Sequence, residues 1–142
     1  PLLLEHVQEV TTAMIEAVPT TVLDEVEVLV AIEARGFVFA SLLAGRLGKG
    51  LVLLRKAGKL PPPVHQHHYD LEYGTDCLEL YQGLSPKNVL LVDDVLATGG
   101  TLRAAAQLCE QAGHRVLGGV VLLDLPALHG ELPWPTYRVL DA

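Results

Sequence analysis

Apolar residues recur at three- and four-residue intervals at Leu3, Val7, Val10, Met14 and Val18. That spacing places them on one helical face and predicts a helix over Leu2–Val18, ended by Pro19-Thr20-Thr21. Val26–Ile32 is a mostly apolar run and predicts a strand; Gly36 opens a second helix that lasts to about Leu47 and is closed by Gly48 and Gly50. Leu51–Leu54, Cys77–Tyr81, Val89–Val92, Val116–Leu123 and Tyr137–Leu140 read as further strands, and Thr101–Ala112 as a helix stopped by Gly113. Pro61-Pro62-Pro63 imposes an extended, non-helical loop expected to last to about Asp76, and Gly83–Lys87 reads as a turn. Strands alternate with helices, and several strands are apolar without polar alternation. This combination predicts an α/β fold, with a largely parallel sheet flanked by helices. No repeat, linker or low-complexity segment divides the chain, so one domain over residues 1–142 is expected. In such sheets a ligand sits beyond the C-terminal ends of the strands, which directs attention to the residues after Ile32, Leu54 and Val92.

Half of the 142 residues are apolar and 19% are charged, a composition that supports a packed core rather than disorder. The longest apolar runs are too short to span a bilayer and no basic, apolar leader opens the chain, so a cytoplasmic protein without membrane partners is expected. The formal charge of −7 argues against non-specific nucleic-acid binding, which needs cations to neutralise phosphates. Arg55, Lys56 and Lys59 form the one local concentration of positive charge. Cys77 and Cys109 lack metal or redox spacing and read as reduced core thiols.

The segment Leu90–Thr101 carries the sharpest chemical signal. Two adjacent carboxylates, Asp93 and Asp94, end a buried strand; the small residues Ala97, Thr98, Gly99 and Gly100 follow, and a helix begins at Thr101. Glycines let the backbone fold tightly and approach a ligand. Amides of such a loop converge with a helix start, whose dipole favours an anion. Hydroxyls of Thr98 and Thr101 add donors. Carboxylates repel phosphate, so Asp93 and Asp94 suit a sugar diol or a hydrated Mg²⁺ ion beside it. A ligand with a ribose, a terminal phosphate and a metal-bound pyrophosphate satisfies all these groups together. The plainer reading is a tight strand–helix turn capped by Thr101 with solvated carboxylates.

The whole string resembles the signature of the type I phosphoribosyltransferases, in which the loop holds a 5′-phosphate and the acidic pair faces the ribose hydroxyls. Three more stretches extend the resemblance: Ala31–Phe37, Leu54–Pro61 and Tyr69–Asp76. Together, and in this order from about Pro1 to about Gly130, they are similar to the adenine phosphoribosyltransferases. Leu71-Glu72-Tyr73-Gly74 and Gly58-Lys59-Leu60-Pro61 are the more specific pieces; the Glu33-Ala34-Arg35-Gly36 piece is shared with xanthine-type relatives.

The resemblance implies the type I fold, a homodimer, and transfer of phosphoribosyl from phosphoribosyl pyrophosphate to adenine, with Mg²⁺ carried by the substrate and not held directly by protein ligands. Arg35, with Lys56 and Lys59, is implied to meet the pyrophosphate, as a planar guanidinium suits bidentate pairing with its oxygens. An unusual peptide around Ala34–Arg35 is implied to turn an amide toward it. Arg55 reads as structural or as a dimer contact. Glu72 and Tyr73 fall on the family's lid, where Glu72 is placed to exchange a proton with the purine. The plainer readings are a surface salt bridge for Arg35, a solvated basic loop for Lys56 and Lys59, and an exposed carboxylate for Glu72. His65, His67 and His68 invite a metal reading, but solvated loop histidines are preferred because metal sites need fixed geometry and a further ligand.

The N-terminal hood that precedes the matching segment in the family is expected to be absent here. Its absence leaves open a phosphoribosyltransferase for xanthine or guanine, and a non-catalytic regulator that binds phosphoribosyl pyrophosphate. A Rossmann-type nucleotide module is disfavoured, since no Gly-x-Gly-x-x-Gly follows a strand.

Overall fold

The computed structural model describes residues 5–71 and 74–142. Helix α1 (Val7–Ala17) and the six-residue α2 (Thr20–Glu25) precede β1 (Val28–Ile32), α3 (Arg35–Leu47) and β2 (Gly50–Lys56). A hairpin of β3 (Val64–Leu71) and β4 (Gly74–Tyr81) follows, then β5 (Asn88–Leu96), α4 (Gly100–Gln111), β6 (Arg115–Asp124), a short 3₁₀ turn (Pro126–Leu128) and β7 (Thr136–Asp141).

The strands form one seven-stranded sheet in the order β3-β4-β2-β1-β5-β6-β7. β2, β1, β5, β6 and β7 pair in parallel, and the hairpin joins β2 antiparallel. This is the α/β fold with a largely parallel sheet that the apolar runs predict. Each face of the sheet is covered, so neighbouring residues of one strand both lose water. Leu29 and Ala31 pack with Met14, Phe39 and Leu43 from α1 and α3, whereas Val30 and Ile32 pack with Leu102, Ala105 and Leu108 of α4. Burial on both faces is why β1 and β5 read as continuous apolar runs. Cys77 and Cys109 are buried and free. Among the described residues no helix is long and apolar enough to cross a membrane.

Three boundaries differ from the expected ones. The first helix ends before Pro19 as expected, but the Pro19 carbonyl then accepts the amides of Val22 and Leu23 and caps α2, a short helix not predicted from the sequence. The expected loop to Asp76 is the hairpin, paired from Val64↔Tyr81 to Leu71↔Gly74. Its first strand is too polar to show an apolar pattern and is made by its partner. Strand β5 continues past Val92 to Leu96 because β6 goes on pairing with it, Asp93 opposite Val121 and Leu96 opposite Asp124.

Candidate active site

β1 stops pairing with β5 at Ala31↔Val92, while β5 runs on beside β6. Asp93 and Asp94 therefore stand on a strand that has lost one neighbour, at the C-terminal end of the sheet. Each carboxylate accepts the next amide: Asp94 N–H donates to Asp93 Oδ1 at 2.8 Å and Val95 N–H to Asp94 Oδ1 at 2.9 Å. Gly36, the second residue of α3, fits against this turn. A Cβ there would lie 2.7 Å from Val92 O and 3.4 Å from both the Cα and Oδ1 of Asp93.

Beyond Leu96 the chain turns through Ala97–Gly99, and α4 starts at Gly100, one residue before the expected Thr101. Gly99 takes φ 88°, a left-handed value that L side chains rarely adopt. Gly100 N–H faces Thr98 Oγ1 at 3.4 Å, and Gly99 O accepts the Arg103 amide at 2.9 Å. The loop, with Asp93, encloses a cavity of about 90 Å³ lined from Val95 to Leu102. The end of β3 borders it, with Asp70 O 4.0 Å from where a Gly100 Cβ would stand.

The cations predicted from the sequence all meet carboxylates. Arg35 begins α3, and its Nε lies 2.6 Å from Asp94 Oδ2; the Arg35 side chain is 81% exposed and that of Asp94 13%. Lys56 ends β2 and bonds Tyr69 Oη at 3.0 Å as well as the Asp76 carboxylate. Lys59 Nζ lies 2.6 Å from Glu33 Oε2, and Arg55 Nε lies 2.9 Å from Glu33 Oε1. Burial alone would raise the Glu33 carboxyl, but Lys59 and Arg55 outweigh it and hold it below its usual value. Arg55 also lies over the Phe37 ring, 5.7 Å from its centroid, which fits the structural role expected of it. The peptide between Glu33 and Ala34 is cis, one bond before the position the resemblance indicates.

The structure thus gathers Asp93, Asp94, Arg35 and Ala97–Thr101 at one strand end. Lys59 meets the end of β1 through Glu33, and Lys56 is tied to the hairpin through Asp76 and Tyr69. Glu72 and Tyr73 lie outside the described residues. Glu33, Tyr69 and Asp76 belong to this cation network but are missed as its members in the sequence. Asp76 and Tyr69 come together only through the hairpin register, for which the sequence carries no local signal. Strand alternation sends His65 and His67 to one side of β3 and His68 to the other. Among the described residues no group of three or more His, Cys, Asp or Glu side chains could hold a metal ion.

Burial pushes the Asp93 carboxyl up to about 7; the neighbouring Asp94 adds to the rise, and the Asp94 amide and Arg35 oppose it. A folded-state value raised above 3.8 means that the folded protein holds a proton which the unfolded chain has released. Stability is then lost as pH rises from about 4 to about 7. Asp93→Asn, which cannot ionise, is expected to raise the melting temperature by several degrees above neutral pH and to change it little near pH 4. Thermal melts of both proteins across this range check the sign; a variant less stable at high pH would contradict it.

Residues 4–140 match the family model described as the phosphoribosyl transferase domain. The chain is 53% identical over 110 residues to the adenine phosphoribosyltransferase of Rhodococcus jostii, a match covering 75% of this chain and 62% of that protein. It is 48% identical over 131 residues to that of Thermobifida fusca, covering 91% of this chain and 74% of the relative. The chain spans 61–62% of the length of the two Rhodococcus relatives it matches. A solved structure of the Saccharomyces cerevisiae adenine phosphoribosyltransferase, complexed with an imino-altritol bisphosphate and adenine, superposes with a TM-score of 0.87 at 35% identity, covering 93% of this chain and 78% of that one. The Rhodothermus marinus enzyme gives 0.85 at 36%, covering 96% and 79%. With its sheet order, its acidic strand end and its glycine loop all in place, the chain belongs to the phosphoribosyltransferase family, among the adenine phosphoribosyltransferases.

Proposed function

We propose that the chain transfers phosphoribosyl from Mg²⁺-bound phosphoribosyl pyrophosphate to adenine, giving AMP and pyrophosphate in purine salvage. The observation that carries this reading is the adjacency of the glycine loop Ala97–Thr101, whose pocket lies at a helix start and suits an anion, to two carboxylates, one of them paired with Arg35. A bare phosphate site would not place acid there.

The 5′-phosphate takes the amides and hydroxyls of Ala97, Thr98, Gly99, Gly100 and Thr101, at the positive end of α4. Asp93 and Asp94 accept from the ribose hydroxyls, and the Asp94 charge favours positive charge growing at the anomeric carbon. The bond from that carbon to the pyrophosphate oxygen breaks, and a bond to an adenine ring nitrogen forms on the opposite face. The base gives up the proton of that nitrogen, for which Glu72 is the acceptor. Tyr73 is assigned, on the family resemblance alone, to excluding water from the oxocarbenium-like sugar. Arg35, Lys56 and Lys59 exchange Asp94, Asp76 and Glu33 for pyrophosphate oxygens, so binding swaps one charge pair for another rather than exposing lone cations. Mg²⁺ would arrive bound to the substrate and would supply positive charge to the pyrophosphate; Asp93 and Asp94, as hard oxygen groups, would tolerate that ion nearby without holding it directly.

The working form is a homodimer. Leu51 and Leu53 share one side of β2 and are 41% and 36% exposed, and Val38 of α3 is 41% exposed, which supplies an apolar surface for a second copy. The test of base specificity supplies Mg²⁺ and phosphoribosyl pyrophosphate with adenine, hypoxanthine, guanine or xanthine in separate reactions, and resolves the nucleotide formed. AMP from adenine, at a rate exceeding the other bases at least about tenfold, is expected. Product chiefly from another base would overturn the substrate assignment while keeping the phosphate chemistry.

A further inference from the structure

The loop 125–135 that joins β6 to β7 forms the outer wall of the glycine loop. Leu125 N–H donates to Leu96 O at 2.9 Å, and Leu132 lies 3.4 Å from where a Gly99 Cβ would stand. An open depression of about 270 Å³, bounded by Asp124, His129, Trp134 and Arg138, adjoins the loop, so solvent reaches part of its surface. Besides the backbone bonds at its two ends, from Leu125 N–H to Leu96 O and from Gly119 N–H to Pro135 O, a side-chain contact ties the middle of the loop to the end of β6. His129 Nε2 lies 2.6 Å from Asp124 Oδ1, and His129 Nδ1 lies 2.7 Å from Gly130 O. Both side chains are nearly buried, His129 at 10% and Asp124 at 8% exposure.

Each ring nitrogen faces an acceptor, so only the doubly protonated imidazole donates at both. We propose that His129, anchored by Asp124, is a positioning residue for the 5′-phosphate: the protonated ring seats loop 125–135 so that Leu132 keeps Gly99 and its amides in the cradle's shape. This rests on the reading of Ala97–Thr101 as a phosphate cradle.

The charges around the pair set its titration. Asp124 and the Gly130 carbonyl hold the imidazole above its ordinary value, and the Arg103 charge on α4 opposes them. Arg138 of β7 approaches Asp124 Oδ2 at 3.7 Å and is itself bonded to Asp141; Glu131 borders the same depression. A raised histidine value means that the clamp is complete below about 6.5 and is lost as pH rises through the higher folded-state value. Phosphate binding is expected to weaken over the same interval.

Calorimetric titration with ribose 5-phosphate and with Mg²⁺-phosphoribosyl pyrophosphate, on wild type, His129→Ala and His129→Gln, tests this at about pH 6 and about pH 9. Loss of one charge-assisted hydrogen bond predicts binding weakened about tenfold in His129→Ala near pH 6. The glutamine, which keeps amide donors, recovers part of it, and both variants lose the wild-type difference between the two pH values. The kinetic counterpart is a raised KM for phosphoribosyl pyrophosphate with kcat changed less. Equal affinity in wild type and His129→Ala, or a wild-type affinity that does not weaken with pH, overturns the positioning role even if the alanine variant folds poorly. Failure of wild type to bind ribose 5-phosphate at either pH would instead remove the cradle reading, and the positioning role with it.

Discussion

Replacing Asp94 by Asn is expected to cut turnover at least about a hundredfold, the usual scale for losing one electrostatic contact made chiefly in the transition state. On the proposed mechanism the charge removed faces a sugar that becomes cationic as pyrophosphate leaves, so kcat should fall more than affinity for phosphoribosyl pyrophosphate. The fold should be nearly indifferent. Asp94 has Arg35 as its ion-pair partner, and the Arg35 side chain is 81% exposed, so the lost pair contributes at most about 1 kcal/mol. The backbone bond from Val95 can still be accepted by the amide oxygen. Steady-state kinetics and a thermal melt of the variant separate the two effects. Unchanged turnover in a folded variant would contradict the role given to Asp94.

Gly36→Val should damage both stability and binding. The need here is for space and not for an unusual backbone angle, since Gly36 lies within α3. Even a single Cβ would meet Val92 O at 2.7 Å, and that carbonyl belongs to a central strand that cannot step aside. The added bulk forces α3 away from β5 at a cost of about 1–3 kcal/mol, enough to lower the melting temperature by roughly 5 °C or more. The displacement begins beside Asp93 and next to Arg35 in sequence, so phosphoribosyl pyrophosphate binding should fall by at least about tenfold in the fraction that folds. Calorimetry and melting of the purified variant measure both. A valine variant that melts and binds like wild type would mean that α3 does not pack on the strand end as described.

What the sequence reveals and what it hides have physical causes. β1 and β5 are buried on both faces, so Leu29–Ile32 and Val89–Val92 show as uninterrupted apolar runs, and a parallel α/β sheet follows from them. β3 is built from residues such as His67, His68 and Asp70 with no apolar rhythm, and only its register with β4 makes it a strand. The extension of β5 through Asp93–Leu96 is likewise owed to β6, and no local preference announces it. The strand, small-residue loop and helix start of Leu90–Thr101 are legible because glycines and adjacent carboxylates are rare together and adjoin in sequence. The carboxylates that hold Lys56 and Lys59 are not legible. Asp76 reaches Lys56 from 20 residues away, and Glu33 reaches Lys59 from 26, through strand order alone. His129 and Asp124 are also distant in purpose from any motif, although only five residues apart.

The transfer reaction itself is open to the most direct measurement by phosphorus NMR of the protein mixed with Mg²⁺, phosphoribosyl pyrophosphate and adenine. The signals of phosphoribosyl pyrophosphate are expected to be replaced by those of AMP and free pyrophosphate in equal amounts, and only when adenine is present. Phosphoribosyl pyrophosphate that binds but persists unchanged in the presence of adenine would contradict the transfer reaction, and would favour the non-catalytic reading of the same site.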